Sequence, residues 1–176
     1  MILALDMSLR SSGYVVLDYD NNIVDFGIIE TTAKEFPDHE DLIIYLRNRI
    51  SGIIFQYGID QFVIEGLSFN SKSSTKDVIS GAYWAIRTLV KEYHANVLIG
   101  SIPVMTWRSK TINKDEKEFA KKFCRDNLKN AVFKKLPDEI QKMFLLYVEN
   151  KGLKITAVFD LADAYFLGVY RNSLNT

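Results

Sequence analysis

A single cysteine, Cys124, leaves this chain of 176 residues without an internal disulfide and fits a reducing compartment. Its setting, Glu118-Phe119-Ala120-Lys121-Lys122-Phe123-Cys124, is that of a small buried residue rather than a nucleophile. The two histidines, His39 and His94, have no ligand spacing, which argues against a zinc site. Nine glycines occur without a cluster that would cradle phosphates. There is no Pro/Gly-rich linker, internal repeat or low-complexity tract, so the expectation is one domain over 1–176. No stretch approaches the length of a membrane span and no basic leader precedes the first strand. The expected setting is cytoplasmic, with no membrane partner. Net charge is absent too, with 22 basic against 22 acidic side chains.

What is present is unevenly distributed. Apolar residues make up 48% of the chain, enough for one substantial core. The window 105–135 holds ten basic side chains (Arg108, Lys110, Lys114, Lys117, Lys121, Lys122, Arg125, Lys129, Lys134 and Lys135) against four acids, a local net charge of +6. Such asymmetry makes an anion-binding surface on a neutral protein, although a solvated helix face has the same composition.

Apolar periodicity predicts strands at 1–6, 13–19 and 22–30, the second and third joined through Asp20-Asn21-Asn22 as an antiparallel hairpin. A helix is predicted over 39–57, closed by Gly58. Phe62-Val63-Ile64-Glu65 reads as a short buried strand, 71–94 as a long helix, and Val97-Leu98-Ile99 as another strand followed by a loop through Pro103. A basic helix is predicted over 114–129 with Asn113 as its cap. A further helix spans 137–149, with Pro137 at its first turn and Gly152 beyond its end. The last helix covers about 157–171. This order predicts an α/β fold, a mixed sheet flanked by helices.

Four acids stand in apolar settings. Asp6 ends Ile2-Leu3-Ala4-Leu5, and Glu65 ends Phe62-Val63-Ile64. Asp160 and Asp163 lie in a helix whose other residues are apolar around nearly its whole circumference. A lone Asp after a strand is ordinarily a turn residue, and a lone Asp-x-x-Asp is ordinarily surface charge. Buried carboxylates instead need a partner, a proton or a cation. If Asp6 and Glu65 end parallel neighbouring strands, they share the sheet edge where α/β proteins bind ligands. Asp160 and Asp163, three apart, share one helix face. Oxygen-only ligands favour two Mg²⁺, with Mn²⁺ as a substitute, in a two-metal phosphodiesterase.

Met1-Ile2-Leu3-Ala4-Leu5-Asp6-Met7-Ser8 with Ser12-Gly13-Tyr14 resembles the first strand and turn of RuvC-type Holliday junction resolvases. Phe62-Val63-Ile64-Glu65 resembles their second acidic strand, and Asp160-Leu161-Ala162-Asp163-Ala164 their C-terminal acidic helix. The compact form is similar to resolvases carried by bacteriophages. The resemblance implies a ribonuclease-H-like fold with a five-stranded mixed sheet, a homodimer, and Mg²⁺-dependent paired nicking of four-way DNA junctions. It makes Asp6, Glu65, Asp160 and Asp163 both catalytic and metal-binding. It also implies DNA contacts. Phe69 would enter the junction centre with Lys72 near a phosphate, while Arg108, Lys110, Lys114 and Lys117 would grip the scissile strand. Lys121 and Arg125 continue the face of Lys117, with Phe119 and Phe123 opposite, and Ser80-Gly81-Ala82 with Ala85 offers a close-packing or dimer surface. Two features depart from bacterial members. Met7-Ser8 stands where those have Pro-Gly, and the helix at 137–149 is an addition of open role. A broader fork or flap nuclease, a kinase-like ATPase and a non-catalytic binder of branched DNA remain as rival expectations.

Overall fold

The computed structural model describes residues 1–67, 76–123 and 125–174; the side chains of 119–123 and 125–127 lie outside that description. Five strands, β1 (Ile2–Asp6), β2 (Ser11–Leu17), β3 (Ile23–Glu30), β4 (Gln61–Glu65) and β5 (Leu98–Ile102), form one sheet in the order β3-β2-β1-β4-β5. β1, β2 and β3 are antiparallel neighbours, whereas β4 runs parallel to β1 and β5 parallel to β4. The hairpin between β2 and β3 turns at Asn21, whose φ of 66° is a left-handed conformation that Asn tolerates.

Among the described residues, helical segments lie on the two faces: α1 (His39–Tyr57), α2 (Lys76–Tyr93), α3 (Val104–Thr111), α4 (Lys114–Phe123), α5 (Arg125–Phe133), α6 (Asp138–Asn150) and α7 (Ala157–Asn172). Strand alternation divides the core in two. Leu3, Leu5, Val16, Phe62 and Ile64 pack beneath α1 and α2. Ile2, Ala4, Val15, Leu17 and Val63 pack beneath α7 with α3, α5 and α6. Helix α1 has the predicted bounds because its ends are well signalled. Asp38 accepts a bond from the Glu40 N–H, and Gly58 takes the left-handed cap at φ 58°.

Some boundaries differ from expectation: β2 (Ser11–Leu17) begins and ends two residues before the predicted 13–19, and β5 (Leu98–Ile102) runs three residues past the predicted end at 99. The stretch after Pro103, read as loop, is helix α3, with Pro103 as its extended N-cap and Trp107 fully buried beneath it. The stretch predicted as a basic helix over 114–129 is helical at all of its described residues, within α4 and α5. Asn113 and Glu116 cap the first reciprocally, the Glu116 N–H donating to Asn113 Oδ1 at 2.8 Å and the Asn113 N–H to Glu116 Oε2 at 3.0 Å. Cys124, and the side chains of Lys121, Arg125, Phe119 and Phe123, are outside the described residues. So are the first residues predicted for the long helix.

Helix α6, the addition, covers the outer strand. Phe26 of β3 packs at a tilt against Phe144 and edge-on against Tyr147, ring centroids 5.0 and 5.1 Å apart. The Tyr147 hydroxyl accepts the Ile28 N–H at 3.2 Å. An open strand edge is a liability for unwanted pairing, and α6 shields this one.

Helix α7 lies unusually close to the sheet. A Cβ built on Gly13 would stand 2.4 Å from the Asp160 carbonyl oxygen, and one on Gly168 would stand 2.7 Å from Leu17 Cδ1. At Gly13 the obstacle is backbone and cannot yield. Gly13→Ala is therefore expected to lift the first turn of α7 and cost about 1–3 kcal/mol, measured as a lower denaturant midpoint. A variant as stable as the parent would refute this seating.

Candidate metal centre

The sheet registers build the site. Leu5 pairs with Ile64 across parallel β1 and β4, so the next residues, Asp6 and Glu65, stand side by side at the C-terminal ends of their strands. Asp6 shares the face of Ile2 and Ala4, and Glu65 that of Val63, the side covered by α7. Helix α7 brings Asp160 and Asp163 to the same edge. A cleft of about 390 Å³ is lined there by Asp6, Glu65, Gly66, Leu67, Pro103, Val104, Met105, Arg108, Lys129 and Asp163. Asp160 stands at its border.

Burial and mutual repulsion make Asp6, Glu65 and Asp163 reluctant to ionise. Burial, then repulsion from Glu65, Asp163 and Asp160, raises the Asp6 carboxyl well above the ordinary range, with Lys129 opposing. Glu65 is pushed up to about 7 by burial and by Asp163, with Arg108 and Lys129 opposing. Asp163 is raised by burial, against the pull of Arg108 and Lys129. The buried indole N–H of Trp107 has no hydrogen-bond partner, and its proximity gives the ionised form of Glu65 a small further support.

Two cations hold the helix carboxylates. Arg108 Nη2 donates to Asp163 Oδ2, and Lys129 Nζ lies 3.1 Å from Asp160 Oδ1. Ser11 Oγ donates to Asp160 Oδ2 at 3.0 Å. With the side chains so turned, among the described residues no three acids close on a common ion. The donor set nevertheless fits a hard divalent cation. It is all oxygen, Asp163 Oδ1 is buried with no partner, and no ion pair among the described residues neutralises Asp6 or Glu65.

The other expected contacts divide. Arg108, expected on DNA, is turned inward with its guanidinium carbon 4.9 Å from the Trp107 ring centroid. Lys110 and Lys114 are exposed on α3 and α4, and Lys117 Nζ lies 3.8 Å from the sulfur of Met105 at the cleft rim. Phe69 and Lys72 lie outside the described residues. Sequence reasoning passed over Lys129 and Ser11. Lys129 was one of ten basic side chains with nothing local to single it out, and Ser11 reaches an acid 149 positions away.

The Met7-Ser8 turn has its own fastening. Ser8 Oγ accepts the Ser11 N–H at 2.9 Å and donates to the Ser11 carbonyl at 2.7 Å. Buried Ser12 donates to the Ser8 carbonyl at 2.7 Å and accepts the Ser8 N–H at 3.1 Å. These bonds orient Ser11 toward Asp160. Ser8→Ala should cost about 1–2 kcal/mol, read by chemical denaturation; no change would mean that Ser12 alone secures the turn.

No family model matches the chain. A curated crossover junction endodeoxyribonuclease RuvC of Alkaliphilus metalliredigens is 33% identical over 85 residues, 47% of this chain and 51% of that relative. The match thus spans about half the length of the curated relatives. Thermus thermophilus RuvC in complex with Holliday junction substrate superposes with a TM-score of 0.64 at 10% identity, covering 99% of this chain and 94% of that one. Over about half its length this chain is similar to RuvC, and it has the same fold. The fowlpox virus resolvase, in complex with Holliday junction DNA, has the same architecture, with a TM-score of 0.57, 17% identity and coverage of 99% and 97%. The mixed five-stranded sheet with helices on both faces is the ribonuclease-H-like arrangement of these resolvases. No helix among the described residues is long and apolar enough to cross a membrane.

Proposed function

We propose that this RuvC relative is a metal-dependent endodeoxyribonuclease that resolves four-way DNA junctions by paired nicks in recombination and repair. The observation that carries the reading is the meeting of Asp6 and Glu65, from adjacent parallel strands, with Asp163 of α7 in one cleft. Asp6, Glu65, Asp160 and Asp163 would hold two Mg²⁺, Mn²⁺ substituting. When bound, such ions supply an activated water and stabilisation of the leaving oxygen of a phosphodiester. Leu67, Pro103, Val104 and Met105 wall one part of the cleft, and apolar surroundings strengthen the charge interactions beside them. Lys117 beside the rim, with Lys110 and Lys114 on the adjoining helices, would receive the phosphates of the scissile strand, and salt should weaken that grip. Phe69 would stack at the junction centre, with Lys72 on a nearby phosphate.

Two active sites suit a junction with two strands to cut, and α2 supplies a face for a second copy. Gly81 is exposed there between half-buried Ser80 and buried Ala82, and Trp84 on the same helix is 59% exposed. Trp84 and Leu98 also line a groove of about 480 Å³ against β5, an apolar surface of the kind that dimers cover.

The test is incubation of the purified protein with a synthetic four-way junction, a fork, a flap and a linear duplex, each with Mg²⁺, Mn²⁺ or EDTA. Symmetric, metal-dependent nicks in the junction, bearing 5′-phosphates, are expected, with the duplex spared. A protein that shifts the junction on a gel but never nicks it with either metal would overturn the reading.

A further inference from the structure

Two of the four acids at this edge of the sheet already have cations, and two do not. Asp163, only 3% exposed, is paired with Arg108, itself 15% exposed. Asp160 is paired with Lys129. Arg108 comes from α3 and Lys129 from α5, two helices that pack on α7. Among the described residues, neither Asp6 nor Glu65 has an ion-pair partner. The site is therefore asymmetric: the strand half has no ion pair of its own among the described residues, while the helix half carries its own counter-charge.

A buried carboxylate with no cation is costly, so a protein that must fold before it meets a metal needs something in the ion's place. Arg108 and Lys129 are suited to that. Both have long stems that can retract, and both line the cleft that substrate would enter. The Arg108–Asp163 pair is not fully satisfied where it lies. Arg108 Nε is buried without a partner, as is Asp163 Oδ1. A pair that leaves a donor and an acceptor unsatisfied is less than optimal for both.

We infer that Arg108 and Lys129 are built-in counter-ions that occupy the α7 carboxylates in the metal-free protein and compete there with divalent cations. The inference rests on the metal-binding reading of the four acids. It assigns the two residues a part beyond gripping DNA. They set how readily the helix half of the site loads, and a divalent ion that enters releases two positive side chains into a cleft built for phosphate. By linkage, an anion that draws them away favours metal binding.

The experiment measures Mn²⁺ binding to the protein without DNA, by calorimetry and by the electron paramagnetic resonance signal of free Mn²⁺, for the parent, Arg108→Gln and Lys129→Gln. Lys134→Gln, which removes an exposed cation just past α5, controls for general electrostatics. Each of the first two substitutions should tighten Mn²⁺ binding by about tenfold, or about 1.4 kcal/mol, and lower the melting temperature in EDTA. The control should change affinity less than about twofold. If Arg108→Gln does not yield folded protein, Lys129→Gln carries the test, since the Lys129 head is 26% exposed. Unchanged affinity in the counter-ion variants, or an equal gain in the control, overturns the inference and leaves the metal site standing. No Mn²⁺ bound by any of the proteins overturns both.

Discussion

Asp6→Asn should slow cleavage of a four-way junction on the order of 10³-fold, about 4 kcal/mol of barrier, while making the metal-free protein more stable. The two effects have one cause. Asp6 is half-buried at the end of β1, and its charge is opposed first by desolvation and then by Glu65, Asp163 and Asp160. An amide of the same shape carries no charge to desolvate and repels none of its neighbours, so the folded state gains. The same change removes an anionic ligand from the proposed metal centre, so the chemistry fails. A melting temperature raised by a few degrees in EDTA near pH 8, together with lost nicking and retained junction binding, is the expected pattern. Lost nicking with a lowered melting temperature would mean that Asp6 is a structural residue.

Stability should also depend on pH in a direction that metal reverses. Glu65 titrates at about 7 in the folded protein against an ordinary 4.5. Between those values the native state holds a proton that the unfolded chain has released. Stability of the metal-free protein therefore falls as pH rises from about 4.5 to about 7 and levels off above. Glu65 alone contributes about 3 kcal/mol to that loss. Asp6 and Asp163, raised for the same reason, add to it in the same sense. Divalent ions bind the ionised carboxylates, so their stabilising effect runs the other way. Mg²⁺ at a hundredfold excess over its dissociation constant should add about 2.7 kcal/mol, or about 5–10 °C in melting temperature, near pH 8. Near pH 5.5, where protons hold the site, the gain should be much smaller. Thermal scans at both pH values, with Mg²⁺ or EDTA, check this. An Mg²⁺ effect equal at both would place the ion elsewhere.

Much of this architecture was legible in the chain because the strands and α1 signal themselves locally. β1 alternates between two cores, and α1 carries its cap at Asp38 and its stop at Gly58. The acids were legible for a different reason. Asp6, Glu65, Asp160 and Asp163 sit where apolar neighbours leave a charge nowhere to go, and their segments also resemble RuvC motifs. What local pattern does not encode is reach across the fold. Helix α3 is short and follows a proline, so the stretch reads as loop, yet it buries Trp107 and delivers Arg108 to Asp163. Lys129 looks like any solvated lysine until α5 is packed against α7. The purpose of α6 likewise rests on Phe26 and Ile28, more than a hundred positions earlier in the chain.

The most direct measurement is an anomalous difference map from crystals of the protein soaked in Mn²⁺. Strong density about 2.1 Å from carboxylate oxygens of Asp6, Glu65 and Asp163, with Arg108 and Lys129 swung away from α7, is the predicted result. A cleft without anomalous density at a Mn²⁺ concentration that supports junction cleavage, with Arg108 still on Asp163, would contradict it.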